Sequence, residues 1–92
     1  MEFEWDPAKA EANVRKHDVS FDEATGVFLD PRVVVRYDQS HSETEDRWKA
    51  VGFSTKGRLL SVIYTRNGDD LRIISSRKAS SREKRTYNEA ES

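Results

Sequence analysis

LLSVIYTRNGDDLRIISSRKASSREKRTY, residues Leu59 to Tyr87, decides the fold. Leu59 to Arg66 and Leu71 to Lys78 alternate with the period of two expected of strands. Asn67-Gly68 between them has the chemistry of a tight hairpin. Strict alternation sets Arg72, Ile74, Ser76 and Lys78 on one face of the last strand, and Leu71, Ile73, Ser75 and Arg77 on the other. Arg77 then shares the apolar face, where a guanidinium needs an anionic partner or the edge of a cleft. The plain alternative is a salt bridge to an acid in the first half of the chain. The strand runs into a helix starting near Ser80 or Ser81, where Ser80 and Glu83 have capping-box spacing. That helix offers little apolar surface beyond Tyr87 and Ala90, so it is expected to be marginal alone or packed by a partner.

Upstream, Val33 to Tyr37 and Arg47 to Ser54 also read as strands, and Lys56-Gly57 marks another hairpin. The last three strands therefore form an antiparallel meander. The link Asp38 to Asp46 has no apolar residue and must be a solvated loop, a kind of segment that often borders a site. Before the strands come a short strand candidate, Phe3 to Trp5, and two helices. Asp6-Pro7 starts the first, which runs to about His17 and ends at Asp18 in a left-handed conformation. Ser20 and Glu23 form a capping box for the second, with Val19 and Ala24 as its staple. Phe21, Ala24 and Phe28 share its core face, and Asp30-Pro31 stops it. The fold class expected is α+β, with N-terminal helices on a small, mainly antiparallel sheet and a short C-terminal helix.

Ninety-two residues, 35% of them hydrophobic and 36% charged, suit one domain with a modest core. There is no cysteine, which rules out disulfides and thiolate chemistry. No apolar run approaches the roughly 20 residues of a membrane span, and MEFEWDPAKA lacks the form of a signal peptide. A cytoplasmic location without membrane contact is the expectation. The net charge of −1 conceals an asymmetry: residues 1–46 hold five basic and twelve acidic residues, residues 47–92 eleven and five. Such a dipole suits a polyanion on one face, unless the halves pair with each other.

Motifs for nucleotide loops, dinucleotides and zinc are missing, and His17 and His41 lack acidic ligands at metal spacing. No cofactor or metal is expected. What remains is cationic: Arg66, Arg72, Arg77, Lys78, Arg82, Lys84 and Arg85 lie within twenty residues. The start of the last helix, with its free amides and the Arg77-Lys78 pair before it, makes a local anion site. Charge and spacing alone stop at phosphate.

Three blocks resemble a known family: F-E-W-D-P-x-K-A-x-x-N-x-x-K-H-x-V-S-F-x-E-A (Phe3 to Ala24), H-S-E-T-E-D-R-W (His41 to Trp48), and G-R-L-L-S-V-I-Y-T followed by R-I-I-S-S-R-K-A-S-S-R-E-K-R-x-Y (Gly57 to Tyr87). They are similar to the BrnT toxins of a bacterial type II toxin–antitoxin system, which have a RelE-like fold. The resemblance spans nearly the whole chain. It departs at Asp18, where the family usually has Gly, and at Ser76, where it often has Ala.

The resemblance implies a ribonuclease that cuts RNA without a metal and inhibits translation. It also implies neutralisation by a BrnA-like ribbon-helix-helix antitoxin, through which alone the toxin meets DNA. Such cleavage needs a base for the 2′-hydroxyl, cations for the phosphorane and an acid for the leaving oxygen. Arg77 is the first choice for charge stabilisation, supported by Arg72 and Arg47, with His41 and Glu45 as acid–base candidates. Lys9, which matches the family's W-D-x-x-K, joins Lys78, Arg82 and Arg85 as RNA-binding candidates. Tyr64 and Tyr87 could stack on bases but are better placed as packing residues. The other readings are a toxin of the same fold that inhibits a protein target, as ParE-type relatives do, and a non-catalytic co-repressor.

Overall fold

The computed structural model describes residues 1–41 and 43–90, except for the His41 side chain. Strand β1 (Phe3–Glu4) is followed by helices α1 (Pro7–His17) and α2 (Phe21–Thr25). A 3₁₀ turn (Gly26–Leu29) then leads into β2 (Val34–Tyr37), β3 (Trp48–Phe53), β4 (Leu59–Asn67), β5 (Asp70–Lys78) and α3 (Ser81–Glu89). The sheet order is β1-β5-β4-β3-β2. β1 pairs with β5 in parallel, and every other pair is antiparallel. Among the described residues, no helix is long and apolar enough to cross a membrane.

The helix signals act largely as the sequence indicates. Asp6 accepts from the Ala8 amide at 2.8 Å, with Pro7 in the first turn. Asp18 ends α1 at φ 56°, the left-handed region that only a few side chains tolerate. Gly57 and Gly68 supply positive φ in the two hairpins. The Ser20 box is only half formed: Ser20 Oγ accepts from the Glu23 amide at 3.0 Å, but the Glu23 carboxylate turns to Arg58 and Ser54 instead. A guanidinium is a stronger donor to a carboxylate than one backbone amide.

The two faces of the sheet carry different loads. On one, Val19, Phe21, Ala24 and Val27 pack against Ala50, Leu60, Val62, Tyr64, Leu71 and Ile73. Phe28 bridges the layers, with ring centroids 5.4 Å from Phe3 and 5.0 Å from Tyr64. On the other, Val51 and Leu59 meet Ala79 and Tyr87, which anchors α3. The expectation that α3 lacks support of its own is corrected here. Tyr87 is 2% exposed, stacks edge-on against Phe53, and donates its hydroxyl to Asp30 Oδ2 at 2.6 Å. Asp30 also accepts from the amides of Phe53 and Arg32, both at 2.9 Å. One carboxylate thus ties the end of the 3₁₀ turn, β3 and α3 together.

The main departure from strict alternation lies in β5. Ile63 pairs with Ser75 but Tyr64 pairs with Ile73, so Ile74 is an extra residue, a β-bulge. The phase shifts by one beyond it. Ser76 therefore falls on the core face, 1% exposed, opposite Val62. Arg77, opposite Ser61, is turned to the α3 face rather than the face of Leu71 and Ile73. The bulge is clamped by Asn13 of α1. Its side chain donates to the Ser76 and Val19 carbonyls at 2.7 and 2.8 Å and accepts from the Ser76 amide at 3.1 Å. β1 covers only Leu71 and Arg72 along this edge of β5. Asn13 thus stands in for a neighbouring strand at Ser76.

Candidate active site on the α3 face

Beyond the bulge, three adjacent strands present polar side chains on one face. β3 supplies Lys49, β4 supplies Ser61 opposite Arg77, and β5 supplies Ser75 and Arg77. They line a cleft of about 420 Å³. His17, in the last turn of α1, and Asp38 and Ser40, at the start of the polar loop, complete its walls. The cleft therefore joins the end of a helix, the middle of the meander and the loop that the sequence marks as a site border.

Glu83 stands behind the cleft, bonded to Lys49 and Arg77 of its lining. It stands at the third position of α3 because the Ser80 box is fully formed: Ser80 Oγ accepts from the Glu83 amide at 3.2 Å, and Glu83 Oε1 accepts from the Ser80 amide at 2.9 Å. From there the carboxylate reaches over the sheet. Arg77 grips it with two bonds, Nη1 to Oε1 at 2.7 Å and Nη2 to Oε2 at 3.0 Å. Lys49 Nζ lies 2.9 Å from Oε2, and Ser61 Oγ donates to the same oxygen at 3.3 Å. The Glu83 side chain is 8% exposed, against 33% for Lys49 and 44% for Arg77. Burial pushes its carboxyl pKa up, but the bonds from Arg77, the Ser80 amide and Lys49 outweigh burial and hold it well below the usual carboxylate range. The same contact raises Arg77 above the ordinary guanidinium value.

Two sequence expectations change as a result. The anionic partner of Arg77 is Glu83 in α3, not an acid of the first half. The anion site at the start of α3 already holds an internal carboxylate on its Ser80 amide. Internal pairing of the two halves of the chain does occur elsewhere, between Glu23 and Arg58.

The other predicted site residues divide between regions. Arg72 lies on the same face as Arg77, because the bulge cancels the alternation between them. It sits opposite Thr65, four residues along β4 from Ser61, or about 13 Å. It lines a second cleft, of about 560 Å³, with Glu4, Glu45, Asp46 and Arg66. Arg66 lies over the Trp48 ring there, 4.6 Å from its centroid. Arg47 is paired with Glu45 at 3.3 Å, and Glu45 lines the second cleft. The backbone of His41 closes the 3₁₀ turn Gln39–His41 beside Ser40; its side chain lies outside the described residues. Arg82 lines a groove between β2 and α3 with Arg36, Lys49 and Thr86. Lys9, Lys78 and Arg85 are exposed, and none lines these clefts. Tyr64 is core and Tyr87 is the anchor of α3.

Lys49, Ser61, Glu83 and His17 are not among the site candidates read from the sequence, where Glu83 stands only as a capping-box residue and His17 only as a helix end and a rejected metal ligand. One signal was present: Ser61 interrupts the apolar run of β4, and in a meander its neighbours on the same face include a residue of β3 and one of β5.

Comparison with known proteins shows the family. The family described as "Ribonuclease toxin, BrnT, of type II toxin-antitoxin system" matches residues 5–83. Among solved structures, the Brucella abortus ribonuclease toxin BrnT is similar, with a TM-score of 0.65 and 28% identity; the match covers 87% of this chain and 97% of that one. Comparison with curated proteins returns no match. With its family match spanning α1 through the first turn of α3, the chain belongs to the BrnT family of ribonuclease toxins of type II toxin–antitoxin systems.

Proposed function

We propose that this chain is a RelE-like, cytoplasmic endoribonuclease that cleaves RNA without a metal and thereby inhibits translation. The observation that carries the reading is the pairing of Lys49 and Arg77 at one cleft, within 3.0 Å of a shared oxygen. Attack of the 2′-oxygen on the adjacent phosphorus forms one P–O bond and breaks the bond to the 5′-oxygen. Negative charge builds on the non-bridging oxygens in between. Two fixed cations supply the stabilisation that such a transition state requires. The Nε–H of Arg77 and the Lys49 ammonium are the donors assigned to those oxygens.

His17 and, from the loop, His41 are assigned to proton transfer, one taking the 2′-hydroxyl proton and the other protonating the departing 5′-oxygen. Imidazole suits both tasks at neutral pH. Arg72, further along the same face, and Arg66, which lines the second cleft with it, are assigned to the phosphates of the flanking RNA, and Arg82, Arg85, Lys78 and Lys9 to its approach. Glu45, which lines the other cleft, is not retained as a catalytic group.

A BrnA-like ribbon-helix-helix antitoxin is the partner this reading assigns, covering the cationic face in the neutral complex. The test combines induction of the chain alone with digestion of purified RNA in excess EDTA. Growth arrest, and cleavage that Arg77→Ala lowers by about 100-fold or more in the folded variant, are expected. Arrest with intact RNA and damaged DNA would replace the ribonuclease with an inhibitor of a protein target.

A further inference from the structure

Lys49 and Arg77 are held on neighbouring parts of the sheet by one acidic side chain that does not itself line their cleft. A single oxygen of Glu83, Oε2, receives Lys49 Nζ at 2.9 Å, Arg77 Nη2 at 3.0 Å and Ser61 Oγ at 3.3 Å. The two cationic nitrogens are therefore within about 6 Å of each other, a separation at which like charges repel. The other oxygen is fixed from behind by the Ser80 amide at 2.9 Å and by Arg77 Nη1 at 2.7 Å. With five donors on two oxygens, the carboxylate has little freedom to rotate, and the groups bound to it inherit that rigidity.

We infer that Glu83 is a positioning residue of the cleavage site: its capped carboxylate draws Lys49 of β3 and Arg77 of β5 together over Ser61 and aims both at one phosphate. The inference rests on the proposed cleavage reaction and adds a residue to it. Three charges with a net of +1 leave one positive charge for the substrate. The bidentate grip occupies the Nη edge of Arg77, a residue of the cleft's lining, and leaves its Nε–H without a hydrogen-bond partner among the described residues. Preorganisation of this kind acts on the transition state more than on ground-state binding.

Glu83→Gln is the informative variant. Glutamine also serves at this position of a capping box, so α3 keeps its start while the charge is lost. The kcat for a short RNA is expected to fall by about 30-fold or more. Binding of the matching 2′-deoxy oligonucleotide is expected to stay within about threefold or to tighten, because a negative charge has left the binding face. Loss of structure alone would instead weaken binding. A folded Glu83→Gln protein with unchanged kcat would overturn the inference.

Glu83→Asp keeps the charge but shortens the reach, and it decides the question should Glu83→Gln not fold. A fall in kcat at preserved oligonucleotide affinity supports positioning; wild-type kcat overturns it. Nitrogen-15 NMR of the Arg77 guanidinium gives a readout independent of cleavage. Its signals should be slow to exchange in the wild type and fast in Glu83→Gln, and equal exchange in both would reject the inference. Failure of the wild type to cut RNA would remove the cleavage reading and leave the held cation pair to be judged by NMR alone.

Discussion

Replacing Asn13 by Ala probes the clamp that fixes the bulge. Asn13 is 5% exposed, and its three bonds go to backbone groups, the Ser76 amide and the Ser76 and Val19 carbonyls. Alanine removes every partner at once and provides none. A buried backbone group left unpaired costs about 1–3 kcal/mol. Water entering at this edge of β5 would recover part of that, so a loss of about 3 kcal/mol is expected. Against a domain stability of about 5–15 kcal/mol, this is a large fraction. It corresponds to a fall in Tm of roughly 15 °C for a chain of this size.

Urea unfolding followed by circular dichroism measures the change, with an unaltered m-value indicating that the native state is still compact. Asn13→Asp makes a demanding control. It preserves the shape, yet puts a carboxylate where two carbonyls need a donor, and should be at least as harmful as alanine. A loss below about 1 kcal/mol for Asn13→Ala would refute the claim that this side chain substitutes for a strand.

Three further outcomes follow from particular residues. Asp18→Gly should stabilise the protein by about 0.5–1 kcal/mol in thermal unfolding, since glycine accepts the left-handed conformation freely; Arg58 keeps its bond to the residue 18 carbonyl. Ser76→Ala should stabilise by up to about 1 kcal/mol in the same assay, because the buried Ser76 hydroxyl has no hydrogen-bond partner among the described residues. Stability should also fall on acidification. The carboxyls of Glu83, Glu23 and Asp30 are all depressed below their ordinary values of 4.5, 4.5 and 3.8. Their contribution is complete above the unfolded values and is lost as pH falls through them towards the folded ones. A Tm that is flat from pH 5 to 3 would contradict the network.

Much of the fold could be read from residues with short-range physics. Asp6-Pro7, Asp18, the Ser80–Glu83 box and the hairpin glycines each act locally, and each does what its chemistry requires. The parallel pairing of β1 could not be read, because two residues are too short to carry a period. The bulge had no signal either: Ile73 and Ile74 are both apolar, and no glycine or proline marks the insertion. That single extra residue decides which face Arg77 occupies and therefore which cations it can join. Lys49 and Glu83 were hidden for a related reason. Each is an ordinary charged residue in its own segment and acquires a role only when β3, β4 and α3 are brought over one another. Asn13 was quoted as part of a family motif, yet its bond to a strand 63 residues away has no local trace.

The central claim is that Lys49 and Arg77 form one cationic centre, with Arg72 belonging to the flanking path. Cleavage of a single RNA substrate in excess EDTA by Lys49→Ala, Arg77→Ala and Arg72→Ala, with kcat and KM separated, tests it directly. The account predicts a fall in kcat of about 100-fold or more for Lys49→Ala and Arg77→Ala. For Arg72→Ala it predicts a raised KM with kcat within a few-fold of wild type. Wild-type kcat in Lys49→Ala, together with a collapse of kcat in Arg72→Ala, would contradict it.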